Sequence, residues 1–557
     1  MSSADTPAPD VFYVTTPIYY VNDKPHLGHV YTTTVADVLA RYHRLKGDDT
    51  FFLTGVDEHA AKVSDKAAEH GLSPQQWADQ NAAAFRETFD KLDLQYDDFV
   101  RTSSDHHKTK VTEYVTALLD SGDVYAGQYE GWYDAGQEEY IPENKAKAND
   151  YKSEVNGKPL VRKKEKNYFF KLSAYRDPLL KHFEEHPDFV QPTARKNEII
   201  NRIKEANDVP ISRTGSGGWG IPVPDDEEQT IYVWIDALFN YLTYVDTPGR
   251  RHYWESGATH LIAKDILWFH AGIWPAILLA LRKCEGYAWV NLPRQVYAHS
   301  YWVSESGEKM SKSLGNFLDP AAIDNYVEEF GLDALRYFLA TRGPLSTTDS
   351  AFSPDLFIEV YNNDLANTFG NSASRVSNMI GKYCEGFISP EIDQAAIGPG
   401  QIVWLMGLIK EMEASLNSSL HKRVFQSPAL QHLQSTPDEF GLYAASDGLY
   451  SVQCVDAYIE ETRPFSLAKD PKTADRVPQI LYESIEALRI ASVLLWPFIP
   501  HKVEDFWRRI GCGHYAEQLA DRGRGELERW VGWGQLEPGT PIEKGEPLFP
   551  RYQVAKK

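Results

Sequence analysis

An α/β fold, with a parallel sheet interrupted by an insertion and followed by a helical part, is predicted by three features of the chain. β-rich runs at residues 11–16 and 50–54 bracket a helix-period segment. A second strand-and-helix region begins near residue 231. From Pro354 the strand signals thin out and long helical periodicities take over, to about Trp507. A length of 557 residues, at roughly 150 residues per domain, allows three or four such parts.

In the first region Val35, Val38, Leu39, Tyr42 and Leu45 recur at three- and four-residue spacing, and Gly47 can close the helix they define. Strand, loop, helix and strand in that order make a βαβ unit. In the second, residues 231–235 read as a strand, Asp236 as the cap of the next helix, and residues 260–263 as a strand leading into an apolar helix through residue 281. Residues 125–230 between the two regions are aromatic and rich in Glu and Lys, with a basic run from Arg162 to Lys166, and read as an inserted domain. The apolar stretch 266–281 is broken by His270 and Pro275 and falls short of the ~18 residues of a membrane span.

A net charge of −22 excludes a general basic coating for nucleic acid or membrane, so any nucleic acid meets local patches. Cys284, Cys384, Cys454 and Cys512 lie far apart without a CxxC pair, which fits reduced thiols in the cytoplasm. The first ten residues have neither the basic start nor the apolar run of a secretory signal.

The loop after the first strand brings His26, Gly28 and His29 to a helix N-terminus, where free N–H groups, imidazoles and a glycine suit a nucleotide's phosphates. Far downstream, residues 307–316 carry Lys309, Ser311 and Lys312 between glycines, a cationic loop able to offset charge at an α-phosphate. Alone, the first segment reads as a turn with two incidental histidines and the second as a solvated loop. In this order they resemble the HIGH and KMSKS signatures of class I aminoacyl-tRNA synthetases. The words TTPIYYVNDKPHLGHVYTT, LTGVDEHA, WGIPVP, YVWIDALFNYLT, AKDILWFHAGIWPA and KMSKSLGN are similar to those of the methionyl-tRNA synthetase family.

That resemblance implies a Rossmann-type catalytic domain in two halves, 1–124 and 231–300, with a connective-peptide insertion at 125–230. The KMSKS loop and junction then occupy 301–353, and an α-helical anticodon-binding domain with its tail 354–557. It implies a ligase that activates L-methionine with ATP and Mg²⁺, then charges tRNA(Met) for initiation and elongation. His26, His29, Lys309 and Lys312 become catalytic, with Gly28 and Ser311 also at ATP. Ile18, Tyr20, Trp234, Ala237, Leu238, Tyr241, Ile266 and His270 become the methionine pocket, and Asp57 the holder of the ammonium.

An apolar aromatic cavity suits a thioether, which has no charge and no strong hydrogen-bonding group. Asn367, Asn371 and Arg375 fall at i, i+4 and i+8 of one helix face, residue types that read unpaired bases. They coincide with the family's anticodon-reading helix. Phe465 stands where the family usually has Trp, keeping a stacking ring without the indole N–H. Where relatives carry zinc knuckles this chain has Asp134, Gln137, Ser153 and Asn156, which cannot replace thiolates, so no structural zinc and an insertion held by packing are expected. Because the sequence stops at Lys557, a monomer is expected.

The acidic excess also fits a saline cytoplasm. Solubility and activity are expected to persist as salt is raised in an activity titration; early salting out or inactivation overturns that reading.

Overall fold

The computed structural model describes residues 9–134, 139–141, 143–214, 218–305, 307–308, 319–395 and 443–553. Six parallel strands stand in the order β3-β2-β1-β5-β6-β4. They are β1 (Val11–Tyr20), β2 (Asp49–Asp57), β3 (Asp98–Arg101), β4 (Val190–Gln191), β5 (Ala258–Ala263) and β6 (Gln295–His299). β1 and β2 are buried over most of their length, Thr15, Thr16 and Thr54 included, as strands covered on both faces are. The chain leaves β1 toward β2 on one side, while β5 arrives on the other side only after the insertion. Open α/β sheets bind ligands in the crevice outside the carboxyl ends at such a reversal.

The helix expected after β1 is α1 (Leu27–Lys46), ended by Gly47 at φ 101°, a conformation glycine adopts without strain. Residues 124–210 build a four-stranded antiparallel sheet around Val124–Asp134 and Val161–Phe170, which pair in unbroken register from Val124 opposite Phe170 to Tyr133 opposite Val161. The same stretch also supplies β4, an edge strand of the parallel sheet, so residues 125–230 serve both sheets.

Residues 231–235 are not one strand. The strand Asp226–Ile231 belongs to a small antiparallel sheet, and α2 (Val233–Thr243) starts immediately after it. Burial of almost all of α2 outweighs the β preference of Val233 and Ile235. Asp236 is consequently inside the helix and not its cap, since Tyr232 holds the N-cap position.

The apolar run after β5 is helical in three pieces: a 3₁₀ turn Lys264–Ile266, a π-helix Phe269–Ile273 and α3 (Trp274–Leu281). Beyond the sheet come α4 (Leu332–Arg342), a π-helix Tyr361–Gly370 continuing as α5 (Asn371–Tyr383), α6 (Tyr443–Thr462), α7 (Val477–Leu495) and α8 (Pro500–Arg509). One hydrophobic core runs from the sheet through these helices to Phe549. Among the described residues no helix is long and apolar enough to cross a membrane.

A buried carboxylate ties sheet to helices. Asp37 of α1 accepts hydrogen bonds from Arg41 Nε at 2.7 Å, from Arg336 of α4 at 2.5 Å and from the Gln95 backbone at 2.7 Å. Arg336 donates also to the Pro497 carbonyl at 3.2 Å, and Arg41 lies 5.6 Å over the Trp496 ring. Burial pushes the Asp37 pKa up, but the two guanidiniums outweigh it and hold it down at about 2. Asp37→Ala would leave the buried Arg336 without its carboxylate and Arg41 with Asp93 as its remaining one, and is expected to cost about 3–5 kcal/mol in urea unfolding. A loss below about 1 kcal/mol, the range of a surface pair, overturns this reading.

Candidate functional site

The carboxyl ends of β1, β2, β5 and β6 open into a cavity of about 510 Å³. His26, Gly28 and His29 line it, together with all nine residues expected around methionine: Ile18, Tyr20, Asp57, Trp234, Ala237, Leu238, Tyr241, Ile266 and His270. Lys309, Ser311 and Lys312 lie outside the described residues.

At the N-terminus of α1 the two histidines form a reciprocal cap. The Gly28 N–H donates to His26 Nδ1 at 3.0 Å, and the His26 N–H donates to His29 Nδ1 at 3.3 Å. Both Nδ1 atoms therefore accept, which puts the ring proton of each neutral imidazole on Nε2. The rings stack at 3.6 Å, and burial, then the neighbouring His26, hold the His29 pKa well below its ordinary value. Gly28 is required for this arrangement, because a Cβ there would lie 2.9 Å from His26 Cε1. The cap presents Nε2–H donors and the positive end of a helix dipole while the imidazoles stay neutral.

The other end of the cavity is apolar. Trp234 stacks on Phe269 at 4.2 Å, and Tyr20 meets Trp234 edge-on at 6.2 Å. His270 Nδ1 lies 3.0 Å from the Ile266 carbonyl, which can only accept, so Nδ1 carries the proton and Nε2 accepts from the Tyr241 hydroxyl at 2.8 Å. Burial lowers the His270 pKa to about 4. The histidine thus contributes shape without charge, and the π-helix Phe269–Ile273 that carries it leaves room for the Trp268 ring, which a Cβ on Gly272 would meet at 2.5 Å. Asp57, nearly fully buried at the end of β2, supplies the acid among these nine residues.

Sequence reasoning missed Asp265, His299, Tyr31, Tyr301 and Trp302, which also line the cavity. Their signal was positional, since residues 265 and 299–302 lie at or just beyond the carboxyl ends of strands. Among the described residues no group of three His, Cys, Asp or Glu side chains is placed to hold a metal ion. Gln137 lies outside the described residues. At residues 153–158 the Ser153 hydroxyl accepts from the Val155 and Asn156 N–H groups at 3.2 and 3.3 Å, and Asn156 Oδ1 from Lys158 at 2.9 Å.

In the helical part Asn367 and Asn371 are exposed and Arg375 is half-buried on the same side. The spacing predicts one continuous α-helix, but Asn367 sits in the π segment and only Asn371 and Arg375 in α5. Packing against residues 549–552 accompanies the change. Tyr361 donates to the Pro550 carbonyl at 2.8 Å, and Asn362 exchanges two bonds with the Tyr552 backbone, at 3.1 and 2.9 Å. Arg375 is ion-paired with Glu460 of α6 and lies 3.9 Å from Asp456. Phe465 is half-buried at the start of the short helix Pro464–Leu467, following Arg463 at φ 48°.

The family model described as tRNA synthetases class I (M) matches residues 12–149 and 145–377. The methionine–tRNA ligase of Bacillus subtilis is 38% identical over 562 residues, covering 98% of this chain and 78% of the relative. That of Streptomyces coelicolor is also 38% identical, covering 97% of both. The Mycobacterium tuberculosis methionyl-tRNA synthetase in complex with methionyl-adenylate superposes with a TM-score of 0.80 at 31% identity, over 97% of this chain and 100% of that one.

Burial also holds the His299 pKa at about 4, as it does that of His270. Unfolding returns both to about 6.5, so the unfolded chain binds more protons between these values. Their contribution is complete above about 6.5 and is lost as pH falls toward about 4. Urea midpoints are expected to drop between pH 7 and pH 5, and to drop less in His270→Gln; an equal drop in the variant overturns the assignment.

Proposed function

The chain belongs to the methionyl-tRNA synthetases of class I, and we propose that the cavity between β1 and β5 is where it joins methionine to ATP. It is an aminoacyl-tRNA ligase: it activates L-methionine with ATP to methionyl adenylate and pyrophosphate, then transfers methionine to the 3′ end of tRNA(Met). One observation carries the assignment of the site. A single cavity has neutral imidazole donors on a helix N-terminus at one side and an aromatic pocket with one buried carboxylate at the other.

In this reading the thioether lies among Ile18, Ala237, Leu238, Ile266 and the rings of Tyr20, Trp234 and Tyr241. The neutral His270 closes the pocket without attracting a charged side chain. Asp57 pairs with the ammonium, which leaves the substrate carboxylate directed toward the histidine cap. A carboxylate oxygen attacks the α-phosphorus, the bond to the β-phosphate oxygen breaks, and pyrophosphate leaves. The Nε2–H groups of His26 and His29 donate to phosphate oxygens, and Gly28 allows the nucleotide close to the helix end.

Lys309 and Lys312, with Ser311, complete the charge compensation in the transferring phosphate. Magnesium enters as part of the MgATP substrate, its ligands being phosphate oxygens and water. Asn367, Asn371, Arg375 and Phe465 form the anticodon contact, and a single chain in the cytoplasm is the working unit.

ATP–pyrophosphate exchange with each amino acid in turn tests this. Methionine alone should drive exchange; exchange driven by leucine or valine, or by none, overturns the reading. Lys312→Ala should slow methionine-driven exchange by about tenfold or more while the methionine KM stays within about twofold, because the interaction belongs to the transition state.

A further inference from the structure

Behind the carboxylate end of the cavity lies a buried histidine–carboxylate–histidine chain that no step above uses. Asp236 is 1% exposed and stands on α2 among Trp234, Ala237, Leu238 and Tyr241, which line the cavity while Asp236 does not. Its Oδ2 accepts from His59 Nδ1 at 2.6 Å, and its Oδ1 from His107 Nε2 at 2.8 Å. His107 reaches back to the same helix through Nδ1, 2.9 Å from the Thr243 hydroxyl. Both histidines are buried.

His59 follows Asp57 by two residues, and its backbone N–H donates to Asp57 Oδ1 at 3.4 Å. The residue between them is clamped independently. Glu58 accepts from Arg101 at 2.5 Å and from the Ser103 N–H at 3.0 Å, and its own N–H donates to the Thr102 hydroxyl at 2.9 Å. Burying a carboxylate between two imidazoles costs desolvation that an apolar trio would avoid, so the arrangement calls for a role other than adhesion.

We propose that Asp236 is a positioning residue for the methionine ammonium: through His59 it fixes the Asp57 carboxylate relative to the pocket walls carried by its own helix. The proposal rests on the reading of Asp57 as the ammonium's partner. Asp236→Asn keeps shape and volume, but its amide oxygen serves one imidazole N–H and its NH₂ faces the other. The carboxylate that binds the ammonium would then lose its fixed place while the apolar walls remain.

Binding of L-methioninol, which has the ammonium, and of 4-(methylthio)butan-1-ol, which lacks it, separates the two effects in calorimetry on the full chain. Asp236→Asn should weaken methioninol about tenfold or more and change the desamino compound less than about twofold, as expected for a fixed charge contact. Equal weakening of both compounds, or none in either, overturns the proposal. Asp57→Asn, measured alongside, distinguishes the two failures. If it leaves methioninol binding intact, the site reading itself fails; if it abolishes the preference and Asp236→Asn does not, only the positioning role falls. Should Asp236→Asn not fold, His59→Ala carries the same expectations.

Discussion

Asp37 is the point on which the rest of the molecule depends. Its carboxylate is shared by Arg41 on its own helix and Arg336 on α4, and through Arg336 it reaches the turn at Pro497 between α7 and α8. Arg41 also holds the loop before β3 through Asp93, at 2.8 Å. Two guanidiniums inside a protein are tolerable only with a carboxylate between them. The helix that delivers His26 and His29 to the cavity is thereby registered against the helical part by a contact with little geometric slack, in contrast to apolar packing, which tolerates sliding.

The cavity repeats that economy of charge. Three of its histidines, the half-buried His29 and the buried His270 and His299, are held below their ordinary pKa by desolvation. Each is fixed in one tautomer or orientation by a backbone partner. Neutral imidazoles can donate to phosphate or shape a thioether pocket without a full positive charge that would bind the product pyrophosphate tightly or admit an acidic side chain. In the proposed reading, positive charge at the transferring phosphate would come from Lys309 and Lys312 and the ammonium's partner would be Asp57.

Much of this was legible in the sequence, and for identifiable reasons. Local capping signals marked α1 correctly, because Gly47 and the loop before His26 act within a few residues of the helix they bound. His26, Gly28 and His29 were legible from the loop itself, whereas the cavity's apolar members were legible only through family resemblance, since Trp234 or Ile266 alone looks like core. Illegible were features set by packing at a distance. Two π segments arose where Trp268 and residues 549–552 press on helices, and α2 formed from residues with strand preferences because nearly all of it is buried. Asp236 was misread as a cap for the same reason: its partners His59 and His107 are far away in the chain.

Arg375, on the helical face proposed for the anticodon, is already paired with Glu460. A polyanion that approaches it finds a cation already neutralised and gains little from a phosphate alone, so few counterions are released and salt has little grip on the encounter. In the anticodon contact proposed above, an RNA that displaces Glu460 would have to compensate with contacts a random strand lacks, such as base edges at Asn367 and Asn371 or a ring stacked on Phe465. On that proposal occupancy would be rationed by base identity in place of charge.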